Sequence, residues 1–592
     1  MTPHRKEQMQ MRRGALRQVV ILLAMLMGLM LPLSAMAAEG DGQQRPNILL
    51  IIVDDMGYAE LGAFGGEIRT PNIDALAARG LKFTDFNVAP SCSPTRSMLF
   101  SGTDNHLAGL GAMEEMVSGR IDLEGLPRPV KQLAERMQGV PGYEGHLNDR
   151  VISFPKLLQE AGYNTFMAGK WHIGLTEEYW PDKRGFDRSF VMLEGLASHF
   201  KDDWKGFPKP GPSIYVEDGD YAFIPDDFYS STAYADKMIG WLSDSFAAGD
   251  ENPFFAYLAP TAPHDPLHVP DQDIDLYKGQ YDVGYEVIKA RRLAKMKSLG
   301  LVAEDAEGAA RMSNVPAWDD LSADEKKTQA RFMEIYAAKL EVLDREIGRL
   351  LAFLEEHGKM DNTVIFFMSD NGAAGGLGAN FYGFPEEDFD NRPENYGRPN
   401  SFIAYGPGWA QAGSVPFNNF KGTTYDGGIR APLIVAGPGV SRTGITRAFS
   451  HVSDLAPTLL GLAGVMAPQD TVPHPITGKS LLPVLQNNAD AVRSDEDVVG
   501  WEVHGRAAVR KGSWKLVYSP SMDGIQWELF NIADDPSERH DLSDTHPAKF
   551  KEMMAVWEEY KANHNIQTFT WSEELMMKAG IAFMKFKKRY LD

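Results

Sequence analysis

The residues Asn47-Ile48-Leu49-Leu50-Ile51-Ile52-Val53 run apolar after a single asparagine and stop on two aspartates, Asp54 and Asp55. A run without polar alternation has no side to turn to water, so as a strand it must be covered on both faces. That demands helices on either side of a sheet and disfavours all-β and all-α plans. Comparable runs lie at Tyr163 to Met167, Phe254 to Leu258, Thr363 to Met368 and Ala431 to Ala436, with helical patterns between several of them. The predicted fold is therefore α/β, a large mixed central sheet flanked by helices, with a site where the strand ends open. One helix is well marked. Ser322 caps it with Glu325 at the third position, Tyr336, Leu340, Leu343, Ile347, Leu350 and Leu354 form an inward stripe, and Gly358 ends it. Pro127 to Asp149 and Gly375 to Arg398 read as long loops around the site.

Beyond Phe449 the texture shortens. Ala507 to Arg510, Trp514 to Tyr518 and Trp527 to Phe530 suggest a smaller antiparallel sheet. The expected division is a signal segment 1–37, a catalytic domain 38–445 and a smaller C-terminal domain 446–592. A terminal helix from Ser572 through Arg589 closes the chain, either as a docking helix or as a packed end.

The start of the chain belongs to export rather than folding. Arg12, Arg13 and Arg17 precede the apolar run Val19 to Leu33, and Ala35-Met36-Ala37 offers small residues for cleavage. A retained anchor is the competing reading, but the run falls short of the roughly 20 residues that span a bilayer. No cysteine follows the cleavage region, so a lipid anchor by that route is excluded and the periplasm, or secretion, is the expected location. The first 37 residues hold five Lys/Arg and one Glu, so their removal takes the formal charge from −22 to −26. Such a chain has no long-range attraction for nucleic acid, and no stable membrane anchor is expected, whereas metal ions are natural guests. It has one cysteine, Cys92, which excludes an intrachain disulfide and any Cys-rich metal site and leaves a lone thiol in an oxidising compartment.

Asp54 and Asp55 can be directed by a turn onto one hard cation, although by themselves they also suit a solvated strand end. Asp370 and Asn371, one serine beyond the apolar Ile365-Phe366-Phe367-Met368, add a carboxylate and an amide oxygen at a second strand end. Four oxygen ligands without thiolate or imidazole favour one Ca2+ ion, with Mg2+ the less favoured alternative, and disfavour zinc.

Cys92 stands in Cys92-Ser93-Pro94-Thr95-Arg96, ahead of an apolar helical start. With the acidic strand ends, this segment resembles the type I sulfatases, the formylglycine-dependent branch of the alkaline-phosphatase-like superfamily, and most closely the bacterial arylsulfatases. The resemblance extends from Arg45-Pro46-Asn47 through Leu529-Phe530-Asn531-Ile532. It implies that a formylglycine-generating or sulfatase-maturing enzyme converts Cys92 to 3-oxoalanine (C-formylglycine), whose hydrate is the nucleophile. It implies calcium on Asp54, Asp55, Asp370 and Asn371, and a charge-stabilising role for Arg96. Lys170 and His172, in Lys170-Trp171-His172, match the sulfate-contacting lysine and the histidine that supports the hydrate. His264 matches a sulfate-contacting histidine that assists the leaving group, and Lys421 the last lysine of the site. Asp426 replaces a glutamate common in that last motif, outside the sulfate shell.

The chemistry agrees with these residue types, because a sulfate ester needs its oxygens held while charge develops on the leaving oxygen. Asp370 is the candidate to deprotonate the nucleophile, His264 and Lys421 to serve the leaving group, and His172 to take the proton that lets sulfate go. His106 and His268 are either pocket-wall or structural histidines, and Arg510 and Lys511 either a basic rim or an ordinary turn. The expected function is hydrolysis of a small sulfate monoester, an aryl sulfate first, to an alcohol or phenol and sulfate. Export machinery and the maturation enzyme are the partners. The alternatives are a phosphatase or phosphonate monoester hydrolase of the same superfamily, and a non-catalytic protein that binds sulfated ligands with Cys92 unmodified.

Overall fold

The computed structural model describes residues 45–117, 134–201, 213–376, 378–379, 384, 386–468, 471–520 and 526–568. The expected signal segment 1–37 and the expected terminal helix from Ser572 lie outside the described residues, as do parts of both long loops. Sixteen strands are described: β1 Asn47–Val53, β2 Leu81–Phe83, β3 Phe86–Asn87, β4 Asn164–Lys170, β5 Arg188–Met192, β6 Tyr215–Glu217, β7 Asp220–Ala222, β8 Phe254–Ala259, β9 Thr363–Ser369, β10 Leu433–Ala436, β11 Gly444–Thr446, β12 Ser450–His451, β13 Val498–Val503, β14 Arg506–Lys511, β15 Trp514–Tyr518 and β16 Glu528–Asn531. The helices used below are α1 Pro71–Arg79, α2 Cys92–Ser101, α3 Glu114–Val117, α4 Ser230–Ala247, α5 Ala323–Glu356, α6 Asp426–Ile429, α7 Leu455–Leu462 and α8 Pro547–Asn563.

Ten strands form one mixed sheet in the order β11-β2-β10-β9-β1-β8-β4-β5-β6-β7. Its centre, β9 through β5, is parallel. The run at Leu433 to Ala436 pairs antiparallel with both β9 and β2. β1 explains its own composition: Leu49, Ile51 and Val53 enter the core beneath α5 and α4, while Ile48, Leu50 and Ile52 enter the opposite core with Leu99 and Phe100 of α2 and Leu455 and Leu459 of α7. Each such side chain contributes roughly 1.5–3 kcal/mol by leaving water, so a polar residue on either face would be strongly destabilising. The predicted helix is α5, with Ser322 and Glu325 closing a reciprocal capping box and the whole predicted stripe buried.

A second, four-stranded antiparallel sheet runs β13-β14-β15-β16. One face places Trp501, Ala508, Val517 and Phe530 on Tyr425 and Ile429, and the other places Ala507, Val509, Leu516 and Leu529 on Met553 and Trp557 of α8. Residue 445 falls within β11, a strand of the large sheet paired to β2. Among the described residues no helix is long and apolar enough to cross a membrane.

Candidate active site

The C-terminal ends of adjacent parallel strands β9, β1, β8 and β4 converge on one point, the place where an open α/β sheet offers a crevice. β1 delivers Asp54 and Asp55, β9 delivers Asp370 and Asn371, β4 ends at Lys170, and the loop after β8 carries His264. Adjacent strand residues point oppositely, so two neighbouring carboxylates reach one site only if the chain turns. It does so at Asp55, whose φ of 68° lies in the left-handed region. His172 takes the same region, with φ 58°.

Cys92 is the first residue of α2, with its Sγ 3.5 Å from Asp54 Oδ1 and 3.7 Å from Asp55 Oδ1. Burial pushes its thiol well above the ordinary range against the opposing pull of Lys170 and Lys421, so unmodified Cys92 is a protonated and poor nucleophile. Lys170 Nζ donates to Asp54 Oδ2 at 2.7 Å, and Lys421 Nζ donates to both Asp55 oxygens at 2.6 and 2.8 Å while standing 3.3 Å from Cys92 Sγ. The Lys421 loop is pinned by its own backbone, Lys421 N–H to Ala373 O at 3.0 Å and Gly422 N–H to Pro90 O at 2.8 Å. Arg96 is fully buried and donates Nε and Nη2 to Asp370 Oδ2 at 3.1 and 2.9 Å and Nη1 to the Lys170 carbonyl at 2.8 Å. His264 Nδ1–H donates to the Asp265 carbonyl at 2.7 Å, which turns Nε2 toward Asp55 Oδ2 at 3.2 Å and Lys421 Nζ at 3.3 Å. His172 Nε2 stands 2.8 Å from Glu115 Oε1, and its Nδ1 is buried without a hydrogen-bond partner among the described residues.

The electrostatics follow from burial opposed by neighbours. Desolvation pushes Asp54 up, but Lys170 and then His264 outweigh it and hold the carboxyl at about 2. Asp55 is likewise lowered, by His264 and Lys421 against burial. Asp370 is raised by burial and by Asp54, with Arg96 opposing. Burial lowers His264 to about 4 against the pull of Asp55. Three buried carboxylates thus face three cations, Arg96, Lys170 and Lys421, and the protein groups alone come close to neutral. A bound divalent ion would leave the pocket positive, the sign a sulfate monoester requires.

The donors fit such an ion. Asp54, Asp55, Cys92 and His264 each place a ligand atom within 4.8 Å of the others. Asp370 Oδ1 accepts from Asp55 N–H at 3.2 Å and Asn371 Nδ2 donates to Asp55 Oδ1 at 2.7 Å, which ties the second strand end to the same cluster. Among the described residues Asn371 Oδ1 is buried without a hydrogen-bond partner, as an oxygen ligand to a cation would be. This buried Asp/Asp/Cys/His cluster matches the calcium and formylglycine centre of sulfatases.

Two groups in this neighbourhood had no signal in the sequence. Glu115, from α3, meets His172 across 57 residues of chain, and Lys339, from the middle of α5, donates to the His264 carbonyl at 2.6 Å. The weaker sequence candidates lie elsewhere. His106 is buried between Asp104 at 2.9 Å and Glu502 at 3.0 Å. His268 donates Nε2–H to Ser401 O at 2.8 Å. Arg510 grips Asp85 through both terminal nitrogens, 2.9 Å each, with its guanidinium 3.7 Å over Phe449, and Lys511 pairs with Glu496 at 2.8 Å. Asp426 is tied to Arg430 and, at 2.5 Å, to Lys515 of the smaller sheet.

The chain is matched over residues 46–465 by the sulfatase family model and over 419–565 by the model of the N-sulphoglucosamine sulphohydrolase C-terminal region. An uncharacterized sulfatase of Schizosaccharomyces pombe is 40% identical across 89% of this chain and 95% of its own, and the arylsulfatase of Klebsiella aerogenes is 39% identical across 72% and 89%. Among solved structures, that of Ps i-CgsB superposes with a TM-score of 0.63 at 24% identity, covering 92% of this chain and 98% of its own. Another, of a protein in complex with its substrate D-glucosamine-2-N,6-O-disulfate, superposes with 0.56 at 22%, covering 88% and 98%. With relatives this similar along most of its length and the cysteine of the maturation motif seated among buried aspartates, the chain belongs to the type I, formylglycine-dependent sulfatases, hydrolases of sulfate monoesters related to the bacterial arylsulfatases.

Proposed function

We propose that this sulfatase acts on aryl sulfates after export to the periplasm and removal of residues 1–37. The observation that carries the reading is the placement of Lys421 Nζ 3.3 Å from both Cys92 Sγ and His264 Nε2, at the least buried edge of the site. There the nucleophile and the leaving oxygen can be served together. The aryl preference is supported by the 39% identity to an arylsulfatase, against 28% to the N-acetylgalactosamine-6-sulfatase of Rattus norvegicus. A sulfated sugar is the second reading, favoured by that relative and by the match of residues 419–565 to a sulphohydrolase C-terminal region.

In this reading Asp54, Asp55, Asp370 and Asn371 hold the calcium ion, and Cys92 is the residue converted by the maturation enzyme. A bound ion there would polarise the hydroxyl nucleophile carried by the converted residue 92. Asp370 takes a proton from that position while Arg96 holds its other oxygen. Lys170 and Lys421 hold sulfate oxygens in the buried pocket, where their charge is worth more than in water. His264 and Lys421 meet the departing oxygen, and His172 takes up a proton at residue 92 as sulfate is expelled. The smaller sheet, β13 to β16, backs the Lys421 loop through the bond from Thr424 Oγ1–H to Ala507 O.

Peptide mass spectrometry of the natively matured protein, paired with sulfate release, tests the nucleophile: Cys92 should be found converted, and a retained thiol with full activity would overturn the assignment. On the same sample kcat/KM should rank aryl sulfate above both aryl phosphate and a 6-O-sulfated hexosamine. Preferential phosphate turnover would point to the phosphatase alternative, and a hexosamine preference to the sugar reading.

A further inference from the structure

We propose that Lys339 is a positioning residue for His264, holding its imidazole at the leaving oxygen. Lys339 lies in the middle of α5 and is completely buried. Its Nζ donates to His264 O at 2.6 Å and to Pro266 O at 2.9 Å, and stands 2.8 Å from His199 Nε2. None of these partners is a carboxylate; burial lowers the Lys339 pKa to about 7, and in either charge state it has an N–H for each of the two carbonyls. His199 Nε2 also stands 3.1 Å from His264 O and its Nδ1 2.7 Å from Ser230 Oγ, so the imidazole braces the same carbonyl.

A buried ammonium costs several kcal/mol of desolvation, and a methionine would fill the same space without that cost. What the ammonium supplies in return is a fixed backbone on both sides of Asp265. The carbonyls of residues 264 and 266 are held by Lys339, and the carbonyl of residue 265 between them accepts from His264 Nδ1–H at 2.7 Å. The direction of the ring is therefore set by one carbonyl whose two neighbours are clamped. With the ring so placed, Nε2 faces Lys421 Nζ.

The inference rests on the reading that the His264 and Lys421 pair serves the leaving oxygen. As the nucleophile's oxygen bonds to sulfur and the bond from sulfur to the phenol oxygen breaks, that oxygen takes a proton from the Lys421 ammonium, which His264 Nε2 orients, or remains an anion. A nitrophenolate tolerates the charge, and a more basic phenolate does not. Loss of the Lys339 clamp should thus penalise substrates in proportion to the basicity of the departing phenol, which a general loss of folding or of sulfate binding would not do.

The test uses the matured full chain and two substrates, 4-nitrophenyl sulfate and phenyl sulfate. Lys339→Met should leave kcat/KM for 4-nitrophenyl sulfate within about threefold of the parent and lower that for phenyl sulfate about 30-fold, the scale of a small misplacement of a catalytic group. His264→Ala should show the same asymmetry. The double variant should fall within about twofold of His264→Ala alone, because both changes remove one interaction. If Lys339→Met does not yield folded protein, Lys339→Gln, which keeps a donor but withdraws it by one bond, reads the same asymmetry. Equal losses on both substrates, or losses that multiply in the double variant, would overturn the role of Lys339. If His264→Ala itself shows no asymmetry, the leaving-group reading of His264 falls, and this inference with it.

Discussion

Glu115 and His172 leave no room for a side chain at Gly195. A Cβ there would overlap Glu115 Oε1 and lie 2.7 Å from His172 Nε2. Gly195→Ala should therefore disturb the pair while leaving the sheet intact, lowering kcat by about tenfold or more in a steady-state assay. Metal removal acts at the same scale. If Asp54, Asp55, Asp370 and Asn371 hold a cation as proposed, its removal leaves Asn371 Oδ1 buried without a partner among the described residues and the pocket near neutral. Treatment with EGTA should abolish activity and lower the melting temperature, with calcium restoring both more fully than magnesium. An unchanged melting temperature would argue against a resident ion. The residues of this site that the sequence announces, Cys92, Arg96, Asp54, Asp55, Asp370 and Asn371, lie within short contiguous motifs at strand ends or a helix start. Glu115 and Lys339 are silent in the sequence because each acts on a partner 57 or 75 residues away that only the sheet brings near.

At the level of elements, α5 shows why a correct helix can still conceal its purpose. Its stripe from Tyr336 to Leu354 is legible from period alone, and charged positions beside such a stripe ordinarily face water. Here Lys339, Asp344, Glu334 and Glu346 are buried as well, because the helix lies on the sheet with loops and α1 packed around it. Asp344 caps another helix. The N-cap of α1, Thr70, makes no side-chain cap bond, and Asp344 instead accepts from Asn72 N–H at 3.2 Å and Ile73 N–H at 2.9 Å. Burial raises its carboxyl, and the Ile73 and Asn72 donors oppose the shift. A cap supplied across 272 residues has no local signature. Asp344→Ala should cost about 2 kcal/mol in urea unfolding, since it removes a cap and leaves buried amide donors unpaired. Asp324→Ala, on the exposed first turn of α5, should cost less than about 0.5 kcal/mol.

Across the whole molecule, the smaller sheet is fastened to the segments that carry the site. Trp501 Nε1–H donates to Val88 O at 2.9 Å, Thr424 Oγ1–H to Ala507 O at 2.9 Å, and Arg510 holds Asp85, so β13 and β14 back both the chain entering Cys92 and the Lys421 loop. His106 is the titratable member of this junction. It lies beyond α2 between Asp104 and Glu502 of β13, with the Tyr143 ring 5.6 Å away and Tyr560 of α8 donating its hydroxyl to Asp104. Burial alone would lower its pKa, but Asp104 and then Glu502 overcome this and raise it to about 9. A folded-state pKa above the unfolded value of about 6.5 means that the imidazolium contributes fully below pH 6.5 and is lost as pH rises through 9. The shift corresponds to about 3 kcal/mol, counted once for the His106 and Asp104 pair. Thermal unfolding at fixed calcium should therefore show the parent losing stability between pH 6.5 and 9.5. His106→Gln, which leaves Asp104 and Glu502 without their cation at every pH, should melt lower than the parent at pH 6.5 and converge with it by pH 9.5. A constant gap across that range would mean that His106 is neutral in the folded protein and that the two carboxylates are held by other donors.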